Sequence, residues 1–127
     1  MNKWQTQQAF WESFGIPAYD ENTAFEKGAS PAFPHITYEA LNGVMGQVLA
    51  ISASIWYRSS SWKEISEKAD EILRAVKYGV IMKVDNGYFW IKNPELSPFA
   101  QRMASGSDDD LVKRIYITLE AESLTAY

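Results

Sequence analysis

The chain has 127 residues, 46% of them hydrophobic, which is the size and composition of one globular domain with a single core. A formal net charge of -4 without a basic stripe argues against a protein that reads DNA grooves or binds phosphate tightly. There is no cysteine, no apolar run of membrane-spanning length and no signal-peptide core, so we expect neither disulfides nor a membrane span, and we expect synthesis in the cytoplasm.

The first predicted element is a short helix over residues 3–14. Trp4, Trp11 and Phe14 recur at helical spacing, and the segment from Gly15 to Pro17 is typical of a helix end. We expect the aromatic side of this helix to pack on a sheet.

A long irregular arm is predicted over residues 18–34, where Asp, Asn, Gly and Pro are frequent. A connection of this length without secondary structure is uncommon in a compact domain and is usually functional or disordered. The arm carries Tyr19, Phe25 and Phe33, so it is not a plain solvated linker. It either lies against a neighbouring molecule or folds back over its own core, and the sequence favours neither alternative.

A strand that runs directly into a helix is predicted next. Large and small side chains alternate over residues 48–57, as in a strand with two different faces. Apolar residues then recur about every 3.6 positions over residues 62–76, which is typical of an amphipathic helix. Ser61 and Glu64 fit a capping box at the start of this helix, and Gly79 can provide the left-handed residue at its end.

Two antiparallel hairpins surround this unit. Residues 35–41 alternate and lead through Asn42 and Gly43 toward the strand at residues 48–57, so these two strands should pair. Residues 80–84 and 88–92 flank an Asp-Asn-Gly turn and predict a second hairpin.

The remaining residues predict a loop and a last strand. Residues 93–107 contain two prolines and are predicted as a loop, and residues 111–123 show the longest alternation in the chain. The order helix, two strands, helix, three strands predicts a single α+β domain over residues 1–127. Its mostly antiparallel sheet should have about five strands, with both helices packed on one face.

No catalytic constellation can be assembled from the sequence. His35 is the only histidine, which excludes a zinc site or a Ser-His-Asp arrangement within one chain. Asp108, Asp109 and Asp110 lack calcium-loop spacing and are better explained as a solvated loop that caps the following element. We therefore expect no enzyme activity, no cofactor and no metal.

The sequence instead predicts aromatic surface that a monomer would not need. Helices can cover only one face of the sheet, so aromatic side chains on the strands should lie under the arm or against another subunit. Together with the rings of the arm, these residues are our candidates for a subunit interface. They are Tyr19, Phe25, Phe33, Trp56, Tyr57, Tyr88, Trp90 and Tyr116.

Several stretches of the chain resemble the tail terminator, or tail completion, proteins of long-tailed bacteriophages, which are also described as minor tail or head–tail joining proteins. Together these stretches span most of the chain from Ile16 onward. They are residues 16–22, 33–39, 53–62, 98–103 and 114–119.

The resemblance implies a structural virion protein that forms a ring, commonly a hexamer, on the last ring of the tail tube. Such a ring ends tube growth, meets the head connector and lets double-stranded DNA pass through its lumen without being held. Acidic character suits this passage because like charges repel. Asp108, Asp109 and Asp110 are therefore candidates for a loop at the lumen or at the end of the ring. The implied partners are further copies of the chain, the tail-tube protein and the head–tail connector protein, in the virion.

Two alternatives remain open. Within a phage, the chain could be another neck or connector adaptor, with similar neighbours. In a different class of function, it could be a small monomeric binding domain with an apolar pocket between helix and sheet. Trp11, Trp62 and Trp90 would line that pocket.

Overall fold

A computed structural model of the chain describes residues 2–21, 32–39, 48–85, 87–93 and 99–125. Two helices and seven strands are present in these ranges, so the α+β class is confirmed and the expectation of about five strands is wrong. The elements, in chain order, are α1 (Lys3–Glu12), β1 (Ala18–Asp20), β2 (His35–Tyr38), β3 (Val48–Arg58), α2 (Lys63–Val76), β4 (Val80–Val84), β5 (Gly87–Lys92), β6 (Ala100–Met103) and β7 (Val112–Thr125).

The centre of the sheet is the antiparallel pair of β3 and β7, the two longest strands. Their register runs without interruption from Val48 opposite Glu122 to Arg58 opposite Val112. The strand order is β1-β2-β3-β7-β5-β4, and β6 pairs with β7 beside β5. Both predicted hairpin pairings, β2 with β3 and β4 with β5, are confirmed, whereas the turn at Asn42 and Gly43 lies outside the described residues.

Two short strands were not predicted, and both fall in segments that the sequence indicated as irregular. β1 occupies the start of the predicted arm and pairs in parallel with β2, while β6 lies in the predicted loop of residues 93–107. Each has three or four residues, too few for an alternating pattern to be visible. Their extended backbone is fixed by the longer strand beside each of them. Of the predicted arm, residues 22–31 lie outside the described ranges.

Both helices pack on the same face of the sheet, which we call the inner face. α2 buries Ile65, Ala69, Ile72 and Val76 against β3 and β7, as its periodicity predicts. The opposite face, which carries the alternate side chains of each strand, is called the outer face.

The sheet curls around α1, which touches strands from opposite ends of the strand order. Thr6 Oγ1 donates to Lys83 O on β4 at 3.3 Å, and Gln8 Nε2 donates to Ala18 O on β1 at 2.7 Å. A flat sheet would keep these strands too far apart for one helix to reach both. The inner face is therefore concave and is filled by one hydrophobic core.

The ends of α2 agree only partly with the sequence prediction. Gly79 has φ +84° and its N–H donates to Val76 O at 3.0 Å, which confirms the glycine at the helix end. The capping box is wrong, because the helix begins one residue later than expected, after Trp62. Ser61 Oγ accepts instead from the N–H of Lys63, the first helical residue, at 3.1 Å, and Glu64 is one position too early to reach back. Neither helix in the described residues is long and apolar enough to cross a membrane.

Candidate functional site

The alternation of β3 decides which predicted interface residues are available to a partner. Trp56 and Tyr57 are adjacent in the strand, so their side chains must lie on opposite faces. Tyr57 lies on the inner face with 9% of its surface exposed, and the expectation that it faces outward is wrong. Trp56 lies on the outer face and is half-buried.

Most of the other predicted interface residues do lie on the outer face. Phe25 is outside the described residues. The strand registers and ring contacts assign all six remaining candidates to this face. They form two groups at opposite ends of β7. These six are Tyr19, Phe33, Trp56, Tyr88, Trp90 and Tyr116.

The first group is an aromatic cluster formed by Tyr19, Phe33, His35 and Trp56. The His35 ring is stacked on Trp56 with centroids 6.1 Å apart and an interplanar angle of 11°. Phe33 and Tyr19 contact the same imidazole at 5.1 and 6.2 Å. His35 is consequently only 5% exposed, although it is on the face that carries no helix. The His35 Nδ1 also lies 3.2 Å from Ala32 O.

Polar contacts fix the rings at the edge of this cluster. Trp56 Nε1 donates to Thr37 Oγ1 at 2.8 Å. The Arg114 guanidinium lies 5.1 Å from the Trp56 ring and 6.0 Å from the Tyr116 ring, and its Nε donates to Ser54 Oγ at 2.9 Å. Since these partners belong to the same chain, the aromatic cluster is ordered before any partner binds. Sequence reasoning missed Arg114, whose role depends on the β3–β7 register.

The buried His35 makes stability depend on pH. Burial lowers the pKa of His35 below its usual 6.5, and the nearby Ala32 carbonyl opposes this only in part. The unfolded chain therefore binds more protons than the folded chain between the folded pKa and 6.5. We expect the free energy of unfolding to fall as the pH drops through this window.

The test compares wild type with His35→Phe, which keeps an aromatic ring at this position. Denaturant unfolding at a series of pH values gives the free energy of unfolding of each protein. The difference between the two free energies should change with pH below pH 6.5 and be constant above it. A difference independent of pH would contradict this assignment, because the carboxylates titrate equally in both proteins.

The second group on the outer face lies at the β4–β5 hairpin, and we call it the hairpin patch. It consists of Ile81, Lys83 and Tyr88 on the outer face, together with Lys77 and Tyr78, which follow the last turn of α2. Tyr78 is 89% and Ile81 66% exposed. Lys77 Nζ lies 5.4 Å from the Tyr78 ring. The patch thus combines exposed apolar surface with two positive charges.

Trp90 adjoins the hairpin patch but is half-buried and held by its own chain. Lys92 Nζ lies 4.2 Å from its ring centroid, and the ring covers the backbone at Gly79. Glu120 and Glu122 oppose Lys92 and Trp90 on β7, so the charge of Lys92 is offset locally.

On the inner side, a groove of about 490 Å³ runs beside α2, and we call it the α2 groove. Burial, followed by the charges of Glu64 and Glu71, raises the pKa of the Tyr57 phenol in this groove. Lys68 Nζ lies 3.2 Å from Glu71 Oε2 and donates to Phe14 O at 2.8 Å. The groove is lined by Tyr57, Glu64, Glu67, Lys68, Glu71 and Arg74.

The three-aspartate loop is only partly available to a partner. Asp109 Oδ2 lies 2.9 Å from Arg58 Nε, and Asp109 Oδ1 accepts the N–H of Leu111 at 2.9 Å. Both contacts lower the pKa of Asp109, and the hydrogen bond from the Leu111 N–H has the larger effect. Asp108 and Asp110 have exposed side chains. Among the described residues, no group of His, Asp and Glu is arranged to hold a metal ion.

We expect Asp109→Ala to loosen this turn and Asp108→Ala to leave it unchanged. The first variant removes the acceptor of the Leu111 N–H and the partner of Arg58, while the second removes an exposed side chain. Amide hydrogen exchange of Leu111 should become severalfold faster only in Asp109→Ala. The wild-type protection should be lost in acid as the pH falls through the lowered pKa of Asp109. Equal exchange in both variants would contradict this role.

The apolar pocket of the alternative hypothesis is not formed by the three tryptophans. Trp11 is buried in the core on the inner face, whereas Trp90 lies on the outer face. Trp62 lies at the start of α2, with Arg102 and Lys113 at 4.7 and 5.7 Å from its ring. The three side chains therefore do not line one cavity.

The chain matches no protein-family model, no curated protein and no solved structure. Its function must therefore be inferred from the geometry and charges of its own residues.

Proposed function

We propose that the protein is a structural virion protein that forms a ring, most simply a hexamer, at the head-proximal end of a phage tail. The ring ends growth of the tail tube and joins the tail to the head connector, and double-stranded DNA passes through its lumen. The observation that carries this proposal is the composition of the outer face. Both helices cover the inner face, and six of the aromatic residues that the sequence indicated as interface candidates lie on the outer face.

A closed ring of identical subunits needs two different surfaces on each subunit, because its contacts are head-to-tail. The hairpin patch, at the end of β7 away from the aromatic cluster, can supply one of these surfaces. The net charge of -4 suits a lumen that DNA crosses without binding. Asp108 and Asp110 remain the candidates for the loop at the lumen or ring end, whereas Asp109 is engaged with Arg58.

The proposal is tested by the mass of the assembled protein. Light scattering and native mass spectrometry of the purified chain, alone and with its tail-tube protein, should find a species near six times 14.4 kDa. Imaging of virions should find the ring between tube and connector. A monomer in both conditions would contradict the ring. Density only within the connector would assign the protein to the neck adaptors instead.

A further inference from the structure

We propose that the ring contact is formed by the hairpin patch of one subunit and the α2 groove of the next. This inference rests on the ring function proposed above and names the two surfaces that meet. The occupant of the groove is a second copy of the chain, with Tyr78 entering the groove and Lys77 and Lys83 facing its glutamates.

The positions of the two surfaces favour a contact between copies over a contact within one chain. The groove follows α2 from Glu64 to Arg74, and Lys77 and Tyr78 come directly after the last turn of the same helix. At about 1.5 Å per residue, Glu64 and Glu67 lie roughly 20 and 15 Å from Lys77 along the helix axis, beyond the reach of the Lys77 and Tyr78 side chains of the same chain. Lys77 and Tyr78 of one chain therefore cannot reach Glu64 and Glu67 of that chain, whereas those of a neighbour related by rotation can.

The charges of the two surfaces are complementary. Lys68 is engaged with Glu71 and Phe14 O, so Glu64 and Glu67 carry the charge of the N-terminal half of the groove. Neither of these two glutamates has an ion pair with the described residues. Arg74, the other cation of the groove, lies about two helical turns beyond Glu67, roughly 10 Å along the axis. Lysines that approach from the neighbour would meet carboxylates first.

The shapes of the two surfaces agree as well. Tyr78 is the most exposed large apolar side chain in the described part of the chain, and its ring is rimmed by lysine. An exposed ring of this kind is typical of an anchor that enters a pocket on a partner. The groove offers the Tyr57 ring as an apolar wall and carboxylates that can accept the Tyr78 hydroxyl.

The experiment is a charge swap on exposed residues, with folding checked by circular dichroism. One variant carries Lys77→Glu and Lys83→Glu, and the other carries Glu64→Lys and Glu67→Lys. Each alone should lose the ring species that wild type gives under the same conditions, with tube protein present if wild type requires it. Mixed in equal amounts, they should regain it, because each interface then joins opposite charges around an alternating ring.

The matched control is Asp70→Lys with Glu39→Lys, both at exposed residues, which changes the net charge as much as the groove variant does. Asp70 is on α2 but lines a different groove, beside β6, and the control should keep the ring. Rings in either charge variant alone, or no recovery on mixing, would overturn this contact and leave the proposed function intact. A wild type that is monomeric in both conditions would remove the proposed function and this contact together.

Discussion

Trp11→Ala is expected to lower the free energy of unfolding by about 3–5 kcal/mol, the range for truncating a large buried aromatic residue. Trp11 is 1% exposed, stacks on Tyr38 with centroids 6.3 Å apart, and meets the edge of Phe10 at 4.8 Å. Its removal leaves a cavity between α1 and the concave sheet that these neighbours cannot fill without leaving their own packing.

The matched control is Trp4→Ala, which makes the same substitution on the same helix. Trp4 is 50% exposed, so its removal should cost less than about 1 kcal/mol. Urea unfolding followed by far-ultraviolet circular dichroism measures both values, since tryptophan emission changes in each variant. Equal losses of stability would mean that α1 is not held to the sheet through Trp11.

The predictable part of the fold is its long elements. β3, α2 and β7 each have ten or more residues, enough for a period of two or 3.6 to be read. The alternation of β7 puts Ile115 and Leu119 on the same face, and both are buried. The pairing of β3 with β7 was not predicted, because alternation identifies a strand without naming its neighbour.

The interface candidates show the same limit at the level of the site. Tyr57 was assigned to the wrong face because it was chosen as an aromatic residue and the alternation of the strand was not considered. Adjacent residues of a strand point to opposite faces, so Trp56 and Tyr57 cannot both face outward. The cluster around His35 depends on the opposition of His35 and Trp56 in the β2–β3 register, which becomes known only once the strands are paired. Asp109 could not be separated from Asp108 by sequence, since its role comes from the position of Arg58 across the sheet end.

Gly79→Ala is expected to cost about 2–4 kcal/mol, the second large effect. An alanine there must adopt φ +84°, which costs roughly 1–2 kcal/mol, and its Cβ would overlap Trp90 Nε1. Moving the Trp90 ring disturbs its packing and adds a further cost of about 1–2 kcal/mol, as in other overpacked sites. Denaturant unfolding measures the sum.

Gly106→Ala separates the two contributions. Gly106 also has positive φ, at +74°, but a Cβ there meets nothing within 4 Å, so this variant should lose only the backbone contribution of roughly 1–2 kcal/mol.

Gly79 directly follows Lys77 and Tyr78, and Trp90 is paired with Ile81, so a displaced Trp90 ring also moves the hairpin patch. Gly79→Ala should therefore weaken ring formation, whereas Gly106→Ala should leave it unchanged. Equal stability losses with intact rings in both variants would show that Trp90 yields freely and does not hold the patch in place.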